Sequence, residues 1–215
     1  DKFIAMPFNA SLAGAQEKTS PVLNDATVWG FCETKRGEFW ITTHYAGINR
    51  YDPATGLFTK YRNDATDTSL ANNIAWGCLE DSKGRLWIGT ANGLSRLDPG
   101  QETFKNYRPQ ANPHALQAGV IEDIYEDAKG RLWFGSMAGL HLFREETDDF
   151  FLYSMDDGFD NNSIRTITGD RLGNIWMGTN NGLIQFNPET KKVRNYLSVN
   201  GKKIGGVNNS SSLLS

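Results

Sequence analysis

The chain has 215 residues and a net charge of -3, with Asp, Glu, Lys and Arg interspersed rather than blocked. That length allows one large or two small domains with a sizeable core, and the charge pattern leaves no basic face for nucleic acid. No apolar run approaches the roughly 18 residues of a membrane span, and no charged-then-apolar N-terminus reads as a signal peptide.

The N-terminal stretch 1–27 holds one recognisable piece, Phe3-Ile4-Ala5-Met6, followed by a linker. From Val28 the chain repeats. Versions of one motif run Glu33 to Pro53, Glu80 to Pro99, Glu126 to Arg144 and Gly169 to Pro188, and they align on Trp40, Trp87, Trp133 and Trp176, spaced by 47, 46 and 43 residues. A period in the forties, with a Gly turn and an apolar-aromatic run in every copy, marks a repeat architecture.

Within the second copy all local signals are β. Ile74 to Glu80 is a short apolar run, and Asp81-Ser82-Lys83-Gly84 is a polar turn whose Asp can bond its own backbone. Leu86 to Thr90 follows as a second strand, Ala91-Asn92-Gly93 turns it, Leu94 to Asp98 alternates as a third and Pro99 stops it. Thr103 to Tyr107 gives a fourth. Four short antiparallel strands per period predict an all-β fold, a β-propeller of four tandem four-stranded blades forming part of a larger ring. The blades span 28–73, 74–119, 120–162 and 163–200. The aligned tryptophans fill the wedges between blades, and Gly89, Gly135 and Gly178 let a neighbouring backbone or ring approach; Thr42 at that position in the first copy implies different local packing.

Phe3 to Met6 lines up with the fourth strands Phe58 to Tyr61, Phe104 to Tyr107, Phe150 to Tyr153 and Val193 to Tyr196, and is therefore expected to be the last strand of a preceding blade. Residues 201–215 read as the truncated start of a further blade. Open blade edges at both ends favour pairing with a second copy, so a homodimer is expected. Cys32 and Cys78 show no zinc spacing and are expected to be two buried thiols acting as small apolar side chains.

The pattern of Asp81 to Pro99, Asp-x-x-Gly-x-Leu-Trp-Ile-Gly-Thr-x-x-Gly-Leu-x-Arg-x-Asp-Pro, resembles the two-component regulator propeller repeat, from Val28 to about Tyr196. Departures touch turns: Thr34 replaces the turn Asp, and Arg144 and Asn187 replace the Asp of Asp-Pro. The resemblance implies a periplasmic propeller input region of a bacterial inner-membrane receptor, attached to the membrane and to a histidine kinase, diguanylate cyclase or DNA-binding output through parts of the parent outside this chain. It also implies a small-molecule ligand, such as an oligosaccharide in relatives from glycan-degrading bacteria.

In a propeller, the entry to each blade and the loop between its second and third strands share one face, around the channel mouth. The column eleven residues before each tryptophan holds Trp29, Trp76, Glu122 and Arg165. These residues either grip a ligand or pack and pair with one another. The second-to-third-strand loops add His44, Tyr45, Asn92 and Asn180 as candidate ligand contacts. Glu33, Glu80 and Glu126 lie in register beside the first turn and read as solvated edge carboxylates, unsuited to paired acid and base work. His44, His114 and His141 show no metal spacing; no catalytic residue, metal or cofactor is assigned. Two other roles remain open: a propeller lyase-like enzyme, for which the sequence offers only His44, Glu122 and Arg165, and a scaffold that dimerises the receptor without a small-molecule ligand.

Overall fold

The structure is a computed structural model and describes residues 19–199 and 202–203. Phe3 to Met6 and the segment beyond Lys203 lie outside the described residues. The chain divides into two compact units, 1–106 and 107–215, which are taken in turn.

In the first unit, β1 (Thr19–Ser20) precedes β2 (Val28–Glu33), β3 (Phe39–Thr43), β4 (Ile48–Asp52) and β5 (Leu57–Tyr61). These form one antiparallel sheet of order β1-β5-β4-β3-β2. The linker thus adds a fifth, two-residue strand on the β5 edge, which the four-strand reading did not anticipate. β6 (Ala75–Glu80), β7 (Leu86–Thr90), β8 (Gly93–Leu97) and β9 (Phe104–Tyr107) form the second sheet, in sequence order. The second unit repeats this with β10 (Ile121–Glu126) to β13 (Asp149–Tyr153) and β14 (Ile164–Gly169) to β17 (Val193–Tyr196), separated by a 3-10 turn at Met155–Asp157. A two-residue hairpin, β18 (Ser198–Val199) with β19 (Lys202–Lys203), follows. The fold is all-β, and each four-stranded meander is a propeller blade.

The turn between the first two strands explains both the hairpin and the tryptophan. In the second copy, Asp81 Oδ1 accepts from the amides of Lys83 and Arg85 at 3.0 and 2.9 Å, while Oδ2 accepts from Arg85 Nε at 2.6 Å and Trp87 Nε1 at 2.8 Å. Asp127 does the same with Lys129, Arg131 and Trp133, and Asp170 with Leu172, Asn174 and Trp176. Burial pushes the Asp170 carboxyl up, but the Asn174 and Trp176 side chains and two backbone amides outweigh it and hold the pKa at about 2. In the first copy Thr34 closes the same turn more weakly, accepting from Glu38 N at 3.2 Å. The other departures are also absorbed: Arg144, ending β12 (Leu140–Arg144), makes a two-pronged ion pair with Asp149 of β13, and Asn187 caps its turn through Glu189 N and Thr190 N.

The indoles, so oriented, enter the wedges between sheets. Trp40 packs with Leu86, Ile88, Leu97 and Phe104 of the next sheet, and Trp133 with Ile164, Ile167, Ile175 and Phe186. A Cβ on Gly135 would meet the Ile164 carbonyl oxygen at 3.0 Å, so this glycine admits the neighbouring backbone as expected. Thr42 solves the same approach differently: its hydroxyl donates to the Trp76 carbonyl at 2.7 Å.

Two sequence expectations change. Cys32 and Cys78 are not free thiols: they form a disulfide between β2 and β6, across a sequence separation of 46 residues. The repeat offset brings these positions together, which neither spacing nor cysteine count could reveal. Glu80 is not simply solvated either, because its Oε2 accepts from Lys35 N at 2.6 Å and ties the first sheet's turn to the second sheet.

Linkers are anchored by a polar residue buried at one position of the third strand. Asn49 donates to Asn24, Ser95 accepts from Ala71 N, and His141 Nε2 accepts from Gln117 N at 3.2 Å. His141 is fully buried, and burial pushes its pKa down to about 4 despite a hydrogen bond with the Phe134 backbone. In the fourth repeat Ile184 takes this position, and both Asp160 carboxylate oxygens in the linker before β14 are buried without a side-chain partner among the described residues; burial raises the Asp160 pKa.

Asp81→Ala should lower stability by about 3 kcal/mol, because it strips the acceptor from a buried guanidinium and a buried indole; Thr34→Ala should cost about 1 kcal/mol. Shifts in urea midpoint measure both. Between pH 6.5, where the unfolded imidazole titrates, and about 4, only the unfolded state takes up the His141 proton, so this contribution to stability is complete above that window and lost as pH falls through it. His141→Gln should flatten that part of a plot of urea midpoint against pH.

Candidate functional site

Each first strand carries a β-bulge near its start. Pairing slips between Val28 and Gly30, Ala75 and Cys78, Ile121 and Asp123, and Ile164 and Thr166. The residues within these slips are Trp29, Trp76 with Gly77, Glu122 and Arg165, opposite Thr42, Gly89, Gly135 and Gly178 respectively. An extra residue in a bulge drops out of the ladder and its side chain is re-aimed. That is the local reason the four column positions stand apart from their strands.

In the first unit the structure brings four candidates together. The Trp29 and Trp76 rings lie 4.6 Å apart between centroids, Trp29 meets His44 edge-on at 5.3 Å, and His44 lies against Tyr45 at 3.8 Å. Trp29 and Tyr45 remain 42% and 64% exposed, which leaves ring area for another molecule. Among the described residues Trp76 Nε1 has no hydrogen-bond partner, although it is buried. A buried indole N–H lacking an acceptor is uncommon enough to require one. Asn92 lies in the β7–β8 turn, its backbone N–H donating to Thr90 Oγ1 at 3.2 Å.

The loop bearing His44 and Tyr45 is held by Asp25, which sequence reasoning passed over. Its carboxylate accepts from Thr27 N at 2.9 Å and Tyr45 N at 2.8 Å, and His44 N donates to Thr27 O. The signal was the Asn24-Asp25 pair ahead of the first strand, since short polar side chains in a linker bond nearby backbone.

In the second unit the remaining candidates form a polar cluster. Arg165 donates through Nη1 to Glu122 Oε2 and through Nε to Asn180 Oδ1, each at 2.8 Å, and Asn180 donates to Ser163 Oγ at 3.0 Å. Glu122 is 8% exposed, so its charge is compensated almost wholly by Arg165. Here the alternative of residues pairing with one another describes the geometry. Beside it, Asp123 accepts from Ile167 N of β14 at 2.7 Å, and burial raises its pKa to about 6 against those hydrogen bonds. Among the described residues no group of three His, Cys, Asp or Glu side chains could hold a metal ion.

Comparison with known proteins follows the repeat. The two-component regulator propeller family matches at residues 69–92, 115–138 and 158–181. Three segments of this chain thus carry the two-component regulator propeller repeat. Similar solved structures include the extracellular domain of the hybrid two component system BT3049 from B. thetaiotaomicron, 19% identical with a TM-score of 0.73, over 81% of this chain and 25% of that one. That of the one component system BT4673 from the same organism is 21% identical with a TM-score of 0.70, over 90% and 27%. Virginiamycin B lyase from Staphylococcus aureus is 20% identical with a TM-score of 0.60, over 80% and 56%. At these identities the likeness is one of fold. The chain spans about a quarter of the length of the two receptor domains. No curated protein matches it.

Breaking the Arg165–Glu122 pair with Arg165→Ala should cost about 2 kcal/mol, because it strands a buried carboxylate. Trp29→Ala, at an exposed ring, should cost less than about 1 kcal/mol. Thermal unfolding of the two variants separates the structural cluster from the one left open.

Proposed function

We propose that this regulator propeller is the non-enzymatic input part of a bacterial transmembrane receptor, sensing a neutral oligosaccharide outside the cytoplasm at the Trp29, Trp76, His44 and Tyr45 cluster. The observation that carries the reading is the exposed aromatic surface set beside a buried Trp76 N–H that has no acceptor among the described residues. A sugar presents an apolar ring face for stacking and hydroxyl oxygens for such a donor. Neutrality follows from the site's contents: Asp25, the carboxylate beside Tyr45, already serves backbone amides. The Cys32–Cys78 bond supports an oxidising compartment, consistent with the periplasm. The repeat family supports a signalling role, with a kinase or diguanylate cyclase output in the parent protein.

Likeness to a lyase does not favour an enzyme here. His44 is engaged by two aromatic rings, and Glu122 is ion-paired with Arg165, so the residues an acid-base mechanism would draw on are committed elsewhere.

Titrating the protein with neutral oligosaccharides while following tryptophan fluorescence should find a saturable ligand. Trp76→Phe, which keeps a ring and removes the N–H, should weaken it by about tenfold, and Trp29→Ala should abolish the response. Absence of binding across arabinan, galactan, xylan and glucan fragments, or unchanged affinity in both variants, would overturn the proposal.

A further inference from the structure

The two units join the first strands of neighbouring sheets by different chemistry. In the second unit the residue after the bulge is Asp123, whose carboxylate reaches Ile167 N of β14. The corresponding residue in the first unit is Gly30: it pairs with Thr42 as Asp123 pairs with Gly135. Gly30 has no side chain to reach across, and a Cβ there would meet the Trp76 carbonyl oxygen at 3.1 Å. The β2 and β6 strands are instead joined covalently, by Cys32 and Cys78, with Cα atoms 5.8 Å apart. Cys32 lies three residues beyond Trp29, and Cys78 two beyond Trp76. The bond therefore sits roughly 7–10 Å along the strands from both bulges.

We infer that the Cys32–Cys78 disulfide is a positioning element for the aromatic pair, holding Trp29 against Trp76, and that reduction releases that pair without unfolding the sheets. The role of the site rests on the proposed function; the geometry of the pair does not. Each sheet keeps its own hydrogen-bond ladder and the Trp40 wedge stays filled, so the sheets do not depend on the bond. The pair is differently placed. Trp29 is 42% exposed and its ring touches Trp76 and, edge-on, His44, so strand separation sets the distance between the indoles. The Thr42 hydroxyl lies between the Gly30 carbonyl, at 3.1 Å, and the Trp76 carbonyl, at 2.7 Å, and so ties backbone and neither ring. Reduction by a dithiol transfers two electrons and two protons to the bond, giving two cysteine thiols and the oxidised, cyclic reductant.

Two indoles at this spacing couple electronically, and circular dichroism reads the coupling without any ligand. The full chain is compared oxidised, after dithiothreitol, and as the Cys32→Ser/Cys78→Ser double variant, with Trp29→Phe defining the signal of the pair. The expected result is loss of the indole couplet in the reduced protein and the double variant, with the β-sheet far-ultraviolet spectrum retained. Thr42→Val, oxidised, should keep the couplet. An unchanged couplet after reduction overturns the proposal. So does its loss in Thr42→Val alone, which would assign positioning to the hydroxyl, and so does global unfolding on reduction, which would make the bond a general staple. Free thiols by mass in the air-oxidised protein would remove its premise. None of these outcomes depends on whether an oligosaccharide binds, so failure here and failure of the sensor reading remain distinguishable.

Discussion

One carboxylate shared between a turn and an indole governs this architecture. The turn Asp closes the first hairpin through backbone amides with one oxygen and fixes the tryptophan N–H two residues into the second strand with the other. A large aromatic ring is thereby aimed into the wedge, where close packing rewards only a defined orientation. Arginines complete the arrangement: Arg85 and Arg131 bond the same carboxylates and lie over the Trp87 and Trp133 rings at 5.3 and 5.4 Å. Sheet closure, core filling and the spacing of neighbouring sheets are consequences of one local motif.

Where the motif is missing, the structure shows how much of it can be replaced. The first copy has Thr34 for Asp and Glu38 for Arg, so the charge beside Trp40 is reversed. Arg50, from the third strand, lies over the ring at 5.7 Å, as Arg96 lies over Trp87 at 5.6 Å, and is 3.9 Å from Glu38. The first sheet also carries features absent from the second sheet: the β1 edge strand and the Thr42 hydroxyl on its neighbour's backbone. Together with the disulfide, these ties stand in for the stronger turn.

Strands, turns and wedge tryptophans were legible because each is written in residues close in sequence: a Gly turn, alternation of apolar and polar positions, and recurrence at one period. The second copy's β7 runs Leu86–Thr90, as read from sequence, and its other strands differ by a residue at their ends. The column of Trp29, Trp76, Glu122 and Arg165 was legible as a column, whereas its bulge geometry was not, because a bulge depends on how the partner strand pairs. The division of those residues into an aromatic group and an ion-paired group is likewise a matter of side-chain placement. The disulfide was misread for a related reason. Cys32 and Cys78 occupy non-equivalent positions, opposite Trp40 and Ile88 respectively, so alignment of the repeats does not put them in one column.

The bulge has an evolutionary consequence. A residue expelled from the ladder can be exchanged without altering pairing on either side of it, whereas the glycine opposite, as at Gly135, is fixed by a carbonyl pressed against the place of its Cβ. The repeat thereby separates a constant position from a variable one within the same few residues. An indole, a carboxylate or a guanidinium can be installed blade by blade on an unchanged frame, so new specificities can arise by single substitutions rather than by rebuilding loops.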